Sequence, residues 1–306
     1  MLFAGTPAAA LPSLKALRLA GHDIVAVATN PDAPRGRGRR LTPSPVAAEA
    51  ARLGLRLLQP TRAREQWFVD AVGELAPDLA VVVAWGCLVP DLLLTVPTNG
   101  WVNLHFSLLP AWRGAAPVQR AIMAGDRTTG VTTFELVHDL DAGPVYRREP
   151  VTIGDDETAG ELLSRLADLG AKVLTATAND IAAGATPQPQ PEGETTLAPK
   201  VTPDDARIDW TMPGRAIHDL VRGTTPAPGA WTTLHGARLK VGRTSMVDDP
   251  AVVLTPGELL VRKHDVLTGT GDGALRLVSV QADGKPIMDS PSWARGTRPN
   301  PGDHFE

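Results

Sequence analysis

Asn103 and His105 stand two residues apart at the end of a short apolar run, Trp101 to His105. They are followed at once by Phe106-Ser107-Leu108-Leu109-Pro110 and then by Ala111-Trp112-Arg113-Gly114. In an extended strand, residues two apart project from the same face, so an amide and an imidazole are expected side by side. A third polar group, Asp141, sits in the turn-like stretch Asp139-Leu140-Asp141-Ala142-Gly143-Pro144 after the β-rich run Val131 to Val137, and is expected to fold back onto the same edge. An amide donor, an imidazole that titrates near neutrality and a carboxylate suit acyl transfer to an amine. Asn103 can donate to a developing oxyanion, a role whose removal typically costs about 10²- to 10³-fold in rate. His105 can relay a proton, and Asp141 is expected to fix its tautomer and favour its cationic form. No nucleophilic side chain is then required.

Taken singly, an Asn, a His or an Asp is more often a turn or capping residue than a catalyst; it is their grouping at a sheet edge that makes a site. Ser107 lacks the glycine-flanked elbow of a hydrolase nucleophile and reads as a turn residue. His138 with Asp139 has no second spaced histidine, which favours a solvated loop over a metal pair; no metal is expected.

The elements that must position these groups are legible as strand, helix, strand units in the first half of the chain, the sign of a parallel sheet. Strands are expected at Leu2 to Ala4, Asp23 to Thr29, Asp78 to Trp85 and Trp101 to His105, with Val81, Val82 and Val83 apolar on both faces as in a central strand. A helix carrying Leu14, Leu17 and Ala20 stops at Gly21. Thr158 and Glu161 have capping-box spacing before Leu162, Leu166, Leu169 and Val173 at helical intervals. From Gly184 to about Asp205 the chain is rich in Pro, Gln, Thr and Glu without periodicity, as a linker would be. Beyond it, short turn-bounded runs (Ala230 to Leu234, Ala237 to Val241, Glu258 to Arg262, Ala274 to Val280) suggest a small barrel. The fold class expected is α/β, a Rossmann-like parallel sheet with helices on both faces, linked to a small C-terminal, OB-like β-barrel. The boundaries expected are 1–184, a linker at 185–206, and 207–306.

Composition bounds the function classes. With 306 residues, 43% hydrophobic and 21% charged, the chain has ordinary globular usage and room for two domains. The single cysteine, Cys87, permits neither an intramolecular disulfide nor a multi-cysteine zinc site. The start lacks a signal-peptide pattern and no stretch is long and apolar enough to span a membrane, so a cytoplasmic protein without a membrane partner is the expectation; a monomer is expected, although nothing in the residues decides self-association. A net charge of −4 does not advertise a polyanion partner, but from Arg207 onward basic residues slightly outnumber acidic ones, the reverse of what precedes.

Asn103-Leu104-His105, Ser107-Leu108-Leu109-Pro110 and Asp141-Ala142-Gly143 together resemble the signature of the 10-formyltetrahydrofolate-dependent formyltransferases. The resemblance implies that Asn103, His105 and Asp141 form the active-site triad, that Leu109, Pro110, Ala111 and Trp112 lie against the folate, and that the co-substrate is 10-formyltetrahydrofolate. Trp85 to Leu88 would help line the pterin pocket. Three further segments, Phe3 to Pro7, Pro31 to Leu41 with Pro43 to Pro45, and Trp112 to Pro117, extend the resemblance to the branch that formylates the α-amino group of methionyl initiator tRNA. Arg35, Arg37, Arg39 and Arg40, interleaved with Gly36 and Gly38, form a cationic loop that can approach phosphates closely. By itself such a loop reads as solvated surface; the resemblance turns it into a contact for the tRNA acceptor end.

Phe106 and Asp139 depart from that family's pattern, and the opening glycine loop lacks the full G-x-G-x-x-G, so no nicotinamide cofactor is expected. The nearest alternative is a formyltransferase acting on a nucleotide-linked amino sugar, against which the arginine loop argues. An RNA-binding module without catalysis is opposed by the three polar groups, and a hydrolase of the formyl-folate would need no acceptor.

Overall fold

The computed structural model describes residues 1–35 and 40–306, and it falls into two compact units. The first comprises Met1–Pro117, Thr129–Val151 and Leu163–Ala198, the second Val118–Thr128, Thr152–Leu162 and Pro199–Glu306.

In the first unit, strands β1 (Leu2–Gly5), β2 (Ala26–Ala28), β5 (Leu57–Leu58), β6 (Ala80–Val83) and β7 (Trp101–His105) run parallel. β8 (Thr128–Glu135) and β9 (Val145–Thr152) complete a seven-stranded sheet in the order β5-β2-β1-β6-β7-β8-β9. Between β2 and β5 a two-stranded hairpin, β3 (Ala33–Arg35) with β4 (Arg40–Thr42), pairs Arg35 with Arg40. Helices α1 (Leu11–Leu19), α2 (Pro45–Arg52), α3 (Gln66–Leu75) and α4 (Asp91–Leu94) connect the strands; α5 (Pro117–Met123) falls almost wholly in the second unit, and α6 (Ala159–Ala182) lies in the first from Leu163 onward. β1 lies between β2 and β6, so the strand order reverses direction there, and ligand crevices form at the carboxyl ends of such strands. Gly5 ends β1 at that point: a Cβ there would stand 2.9 Å from the Val83 carbonyl oxygen, so only glycine allows the approach.

Both faces of the sheet are covered, which explains why Val81, Val82 and Val83 are buried alike. On one face Leu104 packs against α6, where a Cβ on Gly170 would meet its side chain at 2.7 Å. On the other, Trp101 stacks on Trp85 with centroids 6.5 Å apart and planes 5° apart, in a cluster with Phe68 and Leu93. Such a pair contributes about 0.5–1.5 kcal/mol beyond area burial. The capping box forms as its spacing predicts: Glu161 Oε2 accepts from the Thr158 N–H at 2.9 Å and from its hydroxyl at 2.8 Å. The strand expected over Asp23 to Thr29 contracts to β2: Ala26, Val27 and Ala28 pair with β1, and of these Val27 and Ala28 pair with β5 as well.

In the second unit, β10 (Ala230–Leu234), β11 (Ala237–Met246), β12 (Leu259–Val261), β13 (Val266–Gly269), β14 (Ala274–Ala282) and β15 (Met288–Asp289) form a six-stranded antiparallel sheet, with α7 (Gly214–Thr224) and α8 (Ser290–Thr297). The path runs β10-β11-β14-β13-β12, and residues 303–306 join its two ends. Leu259 donates its N–H to Asp303, Phe305 to Gly257, and Thr233 and Glu306 exchange bonds of 3.4 and 3.0 Å. Trp210, Phe305 and Trp293 stack in the core beneath. α7 is not evident from the sequence pattern. Its buried face carries polar groups, with Asp219 bonded to Arg222 at 2.7 Å and His218 to the Thr244 hydroxyl at 2.9 Å, which conceals the apolar stripe.

Candidate active site

β7 places Asn103 and His105 on the face shared with Trp101, since residues two apart point the same way. β8 runs antiparallel to β7 with Phe134 opposite Asn103 and Thr132 opposite His105. The chain leaves β8 with Leu136 donating to the Trp101 carbonyl at 2.8 Å, then doubles back so that Asp141 reaches His105. Asp141 Oδ2 lies 3.7 Å from His105 Nδ1, with the two side chains 10% and 6% exposed.

The imidazole is oriented by backbone. His105 Nε2 lies 2.8 Å from the Trp112 carbonyl oxygen, so Nε2 carries the hydrogen and Nδ1 is the nitrogen left to gain and lose a proton. The expectation that Asp141 fixes the tautomer is thereby corrected: at 3.7 Å the carboxylate is beyond hydrogen-bond length and acts through its charge. Burial pushes His105 below an ordinary imidazole, while the Asp141 charge and the Trp112 carbonyl bond pull it back up. Burial prevails, so the resting ring is neutral rather than cationic. The Phe134 ring stands edge-on to it at 6.4 Å.

Asp141 is itself held in place. Its Oδ2 accepts the Gly114 N–H at 2.7 Å, and its own backbone adopts φ 47°, a left-handed conformation uncommon for a side chain other than Gly, Asn or Asp. Gly114, at φ 123°, would drive a Cβ to 2.8 Å from the Ala198 carbonyl oxygen. Asn103 is half-buried, and among the described residues no protein group bonds its amide, which leaves both of its polar ends for a substrate.

Leu109 to Trp112 form the turn after β7. Thr132 clamps it, donating its hydroxyl to the Ser107 carbonyl at 2.7 Å and accepting the Leu109 N–H at 3.2 Å, while the Ser107 hydroxyl donates to the Ala111 carbonyl at 2.6 Å. Ser107 is therefore a turn residue. Phe106 is buried at 6% exposure. Of the loop after β6, Trp85 belongs to the core, whereas Leu88 stands 84% exposed. Leu92, Val137 and Leu140 are exposed as well, and α4 and the loop after β8 that carry them are joined by His138 Nδ1 and Asp91 Oδ1 at 3.0 Å.

Of the arginines, Arg35 ends β3 and Arg40, exposed, opens β4; Arg37 and Arg39 lie outside the described residues. Residues missed by sequence reasoning come from the polar stretch 185–206. The Thr196 hydroxyl accepts the Trp112 N–H at 2.9 Å, and Gln190 bonds the 141–143 turn. No periodicity marks them. Among the described residues no group of His, Cys, Asp and Glu could hold a metal ion, and no helix is long and apolar enough to cross a membrane.

A family model described as formyl transferase matches residues 1–178, and one described as formyl transferase, C-terminal domain, matches residues 200–298. The methionyl-tRNA formyltransferase of Thermobifida fusca is 51% identical over 306 residues, covering 100% of this chain and 98% of its own. That of Paenarthrobacter aurescens is 52% identical over 303 residues, covering 97% and 96%. Among solved structures, the methionyl-tRNA formyltransferase from Clostridium thermocellum superposes with a TM-score of 0.59 at 16% identity, covering 94% of this chain and 98% of that one. WlaRD, a sugar 3N-formyl transferase, gives 0.68 at 13% identity, covering 93% and 98%. HypX from Aquifex aeolicus in complex with tetrahydrofolic acid gives 0.62 at 19% identity, covering 96% of this chain and 46% of that one. At those identities the structural likeness speaks for the fold alone.

Proposed function

The chain belongs to the formyl transferase family, and we propose that it moves a formyl group from 10-formyltetrahydrofolate to the α-amino group of methionyl initiator tRNA. The observation that carries this reading is identity of about half of all positions with methionyl-tRNA formyltransferases along the full chain, both units included.

The residues present fit a folate donor. Asn103 offers an uncommitted amide beside a ring whose Nδ1 is free to take a proton, and Leu88, Leu92 and Leu140 offer apolar surface to a flat heterocycle and its benzoyl arm. The attacking amine forms a bond to the formyl carbon, and the bond from that carbon to the folate nitrogen breaks. An α-amine of ordinary pKa, roughly 7.7–8.0, is partly neutral at cellular pH, so positioning is the larger demand. Asn103 stabilises negative charge on the formyl oxygen. His105 Nδ1 takes the proton that the amine sheds, the imidazolium being held between the Trp112 carbonyl and the Asp141 carboxylate. The departing folate nitrogen takes up one proton in exchange, leaving tetrahydrofolate.

Within this reading the first unit carries catalysis, the turn Leu109, Pro110, Ala111 and Trp112 borders the folate, and residues 207–306 with the cationic loop Arg35, Arg37, Arg39 and Arg40 meet the tRNA. The deciding assay offers the formyl donor with methionyl initiator tRNA, elongator methionyl-tRNA and an amino-sugar nucleotide in parallel. Formylation of the initiator tRNA is expected; transfer to the amino sugar alone, or formate release without an acceptor, rejects the proposal.

A further inference from the structure

Two arms of the chain meet at His105: the 112–114 arm, which supplies the carbonyl that orients the ring, and the 141–143 turn, which supplies the carboxylate. Gln190 is bonded to both. Its Nε2 donates to the Asp141 carbonyl at 2.7 Å and to the Gly143 carbonyl at 2.9 Å, while its Oε1 accepts from Arg113 Nη2 at 2.7 Å. These partners admit one orientation of the amide, because exchanging its ends would set an oxygen against two carbonyls and an NH₂ against a guanidinium.

Gln190 is in turn anchored on both sides. Gln188 and Val145 exchange backbone bonds of 2.6 and 2.8 Å, and beyond it Arg113 donates its N–H to the Thr196 carbonyl at 2.9 Å and accepts from Ala198 at 2.7 Å. Asp141 sits at φ 47°, a left-handed conformation that Asp adopts readily, so what fixes the turn is its bonds to Gln190 and Gly114.

We infer that Gln190 is a positioning residue of the active centre, one that acts through Asp141 by holding the 141–143 turn at its distance from His105. The inference rests on the formyl-transfer reading above. Asp141 is the titratable group facing His105, the Phe134 ring and the Trp112 carbonyl being its other neighbours. A displaced turn therefore weakens the one charge that favours the imidazolium.

The test compares the full-length wild type, Gln190→Met, which loses all three bonds, and Gln190→Glu, which keeps an acceptor for Arg113 but no donor. Turnover is expected to fall on the order of 10- to 100-fold with KM for the formyl donor little changed. The acidic limb of kcat/KM against pH should move to lower pH in Gln190→Met, the direction also expected of Asp141→Asn, whereas the carboxylate added in Gln190→Glu opposes that movement, so this variant is read by its loss of turnover. Combining Gln190→Met with Asp141→Asn should cost no more than Asp141→Asn alone. An unmoved limb, or fully additive losses, overturns the inference. Should Gln190→Met not fold, Gln190→Glu decides; unfolding of both where Asp141→Asn stays folded makes Gln190 a purely structural residue and overturns it too. Titrating the His105 ring by NMR reports the same shift without any acceptor, so a wild type inactive on tRNA would sink the proposed function and leave this inference still decidable.

Discussion

Trp112 offers its carbonyl to His105 Nε2 at 2.8 Å from a backbone held at φ 63°. A bulky residue in the left-handed region is costly, on the order of 1–3 kcal/mol, and such strain gathers where geometry matters to function. Here it is retained by bonds on both sides of the residue, Trp112 N–H to the Thr196 hydroxyl and the Trp112 carbonyl to His105. The His105 ring is thus referenced to the main chain, and in the proposed mechanism the carboxylate is left to tune it.

That division of labour predicts the effect of Asp141→Asn. Removing the charge leaves burial, which lowers His105, opposed only by the carbonyl bond, so the ring titrates at lower pH than in the wild type. kcat/KM should fall by about 10²- to 10⁴-fold at neutrality, with its acidic limb displaced toward acid. A limb displaced the other way would contradict the assigned roles.

Stability should carry the same signature. Because His105 is lowered in the folded state, the unfolded chain takes up a proton at that position first. Acidification below about pH 6.5 therefore favours unfolding, until the lowered folded value is passed. In His105→Gln this part of the pH dependence should be missing, which thermal midpoints measured between neutrality and mild acid would reveal. The variant should remain folded and lose single-turnover formylation.

At Gly143 the doubling-back turn lies directly against β8: a Cβ there would overlap the Glu135 carbonyl oxygen. Gly143→Ala should destabilise by about 1–3 kcal/mol, as overpacking does, and depress turnover further than the same loss of stability imposed at a remote core position. Equal effects from the two kinds of substitution would mean that the turn does not position Asp141.

In the second unit Asp219 and Arg222, each 3% exposed, form an ion pair at 2.7 Å, with Arg222 Nη1 donating to the Gly154 and Glu157 carbonyls at 3.2 and 3.3 Å. Asp219→Ala strands a buried guanidinium and should cost about 3–5 kcal/mol in denaturant unfolding. Asp219→Ala combined with Arg222→Leu should recover part of that loss.

Neutralising Arg37, Arg39 and Arg40 together should raise KM for the tRNA while folate binding stays as it was. The salt dependence of that KM should become shallower, by about 0.7–0.9 in logarithmic slope for each phosphate that is no longer neutralised. An unchanged slope would remove the hairpin from the tRNA surface.

Much of this was readable in the residues. β7 spans the run expected, Trp101–His105, and alternation alone put Asn103 and His105 on one face. The return of Asp141 could be anticipated from turn residues, but not its path across the sheet face, which depends on tertiary bonds from Leu136 and Gly114. The neutral state of His105 was also out of reach, since it depends on how deeply Asp141, Phe134 and Trp112 bury the ring. Gln190 and Thr196 were hidden for a different reason. Their stretch has neither helical nor strand period, because its partners are single carbonyls and N–H groups of distant segments, and composition there speaks only of polarity.

Ala198 makes the last bond to the 112–114 arm, so a chimaera that exchanges the C-terminal segment of this chain should be joined after it rather than at the end of α6. A breakpoint near Gly184 would inherit Asn103, His105 and Asp141 but replace the thread that ties their supports together. The same thread sets a schedule during synthesis, since the supports of the two arms are complete only once residues 190 to 198 have emerged from the ribosome.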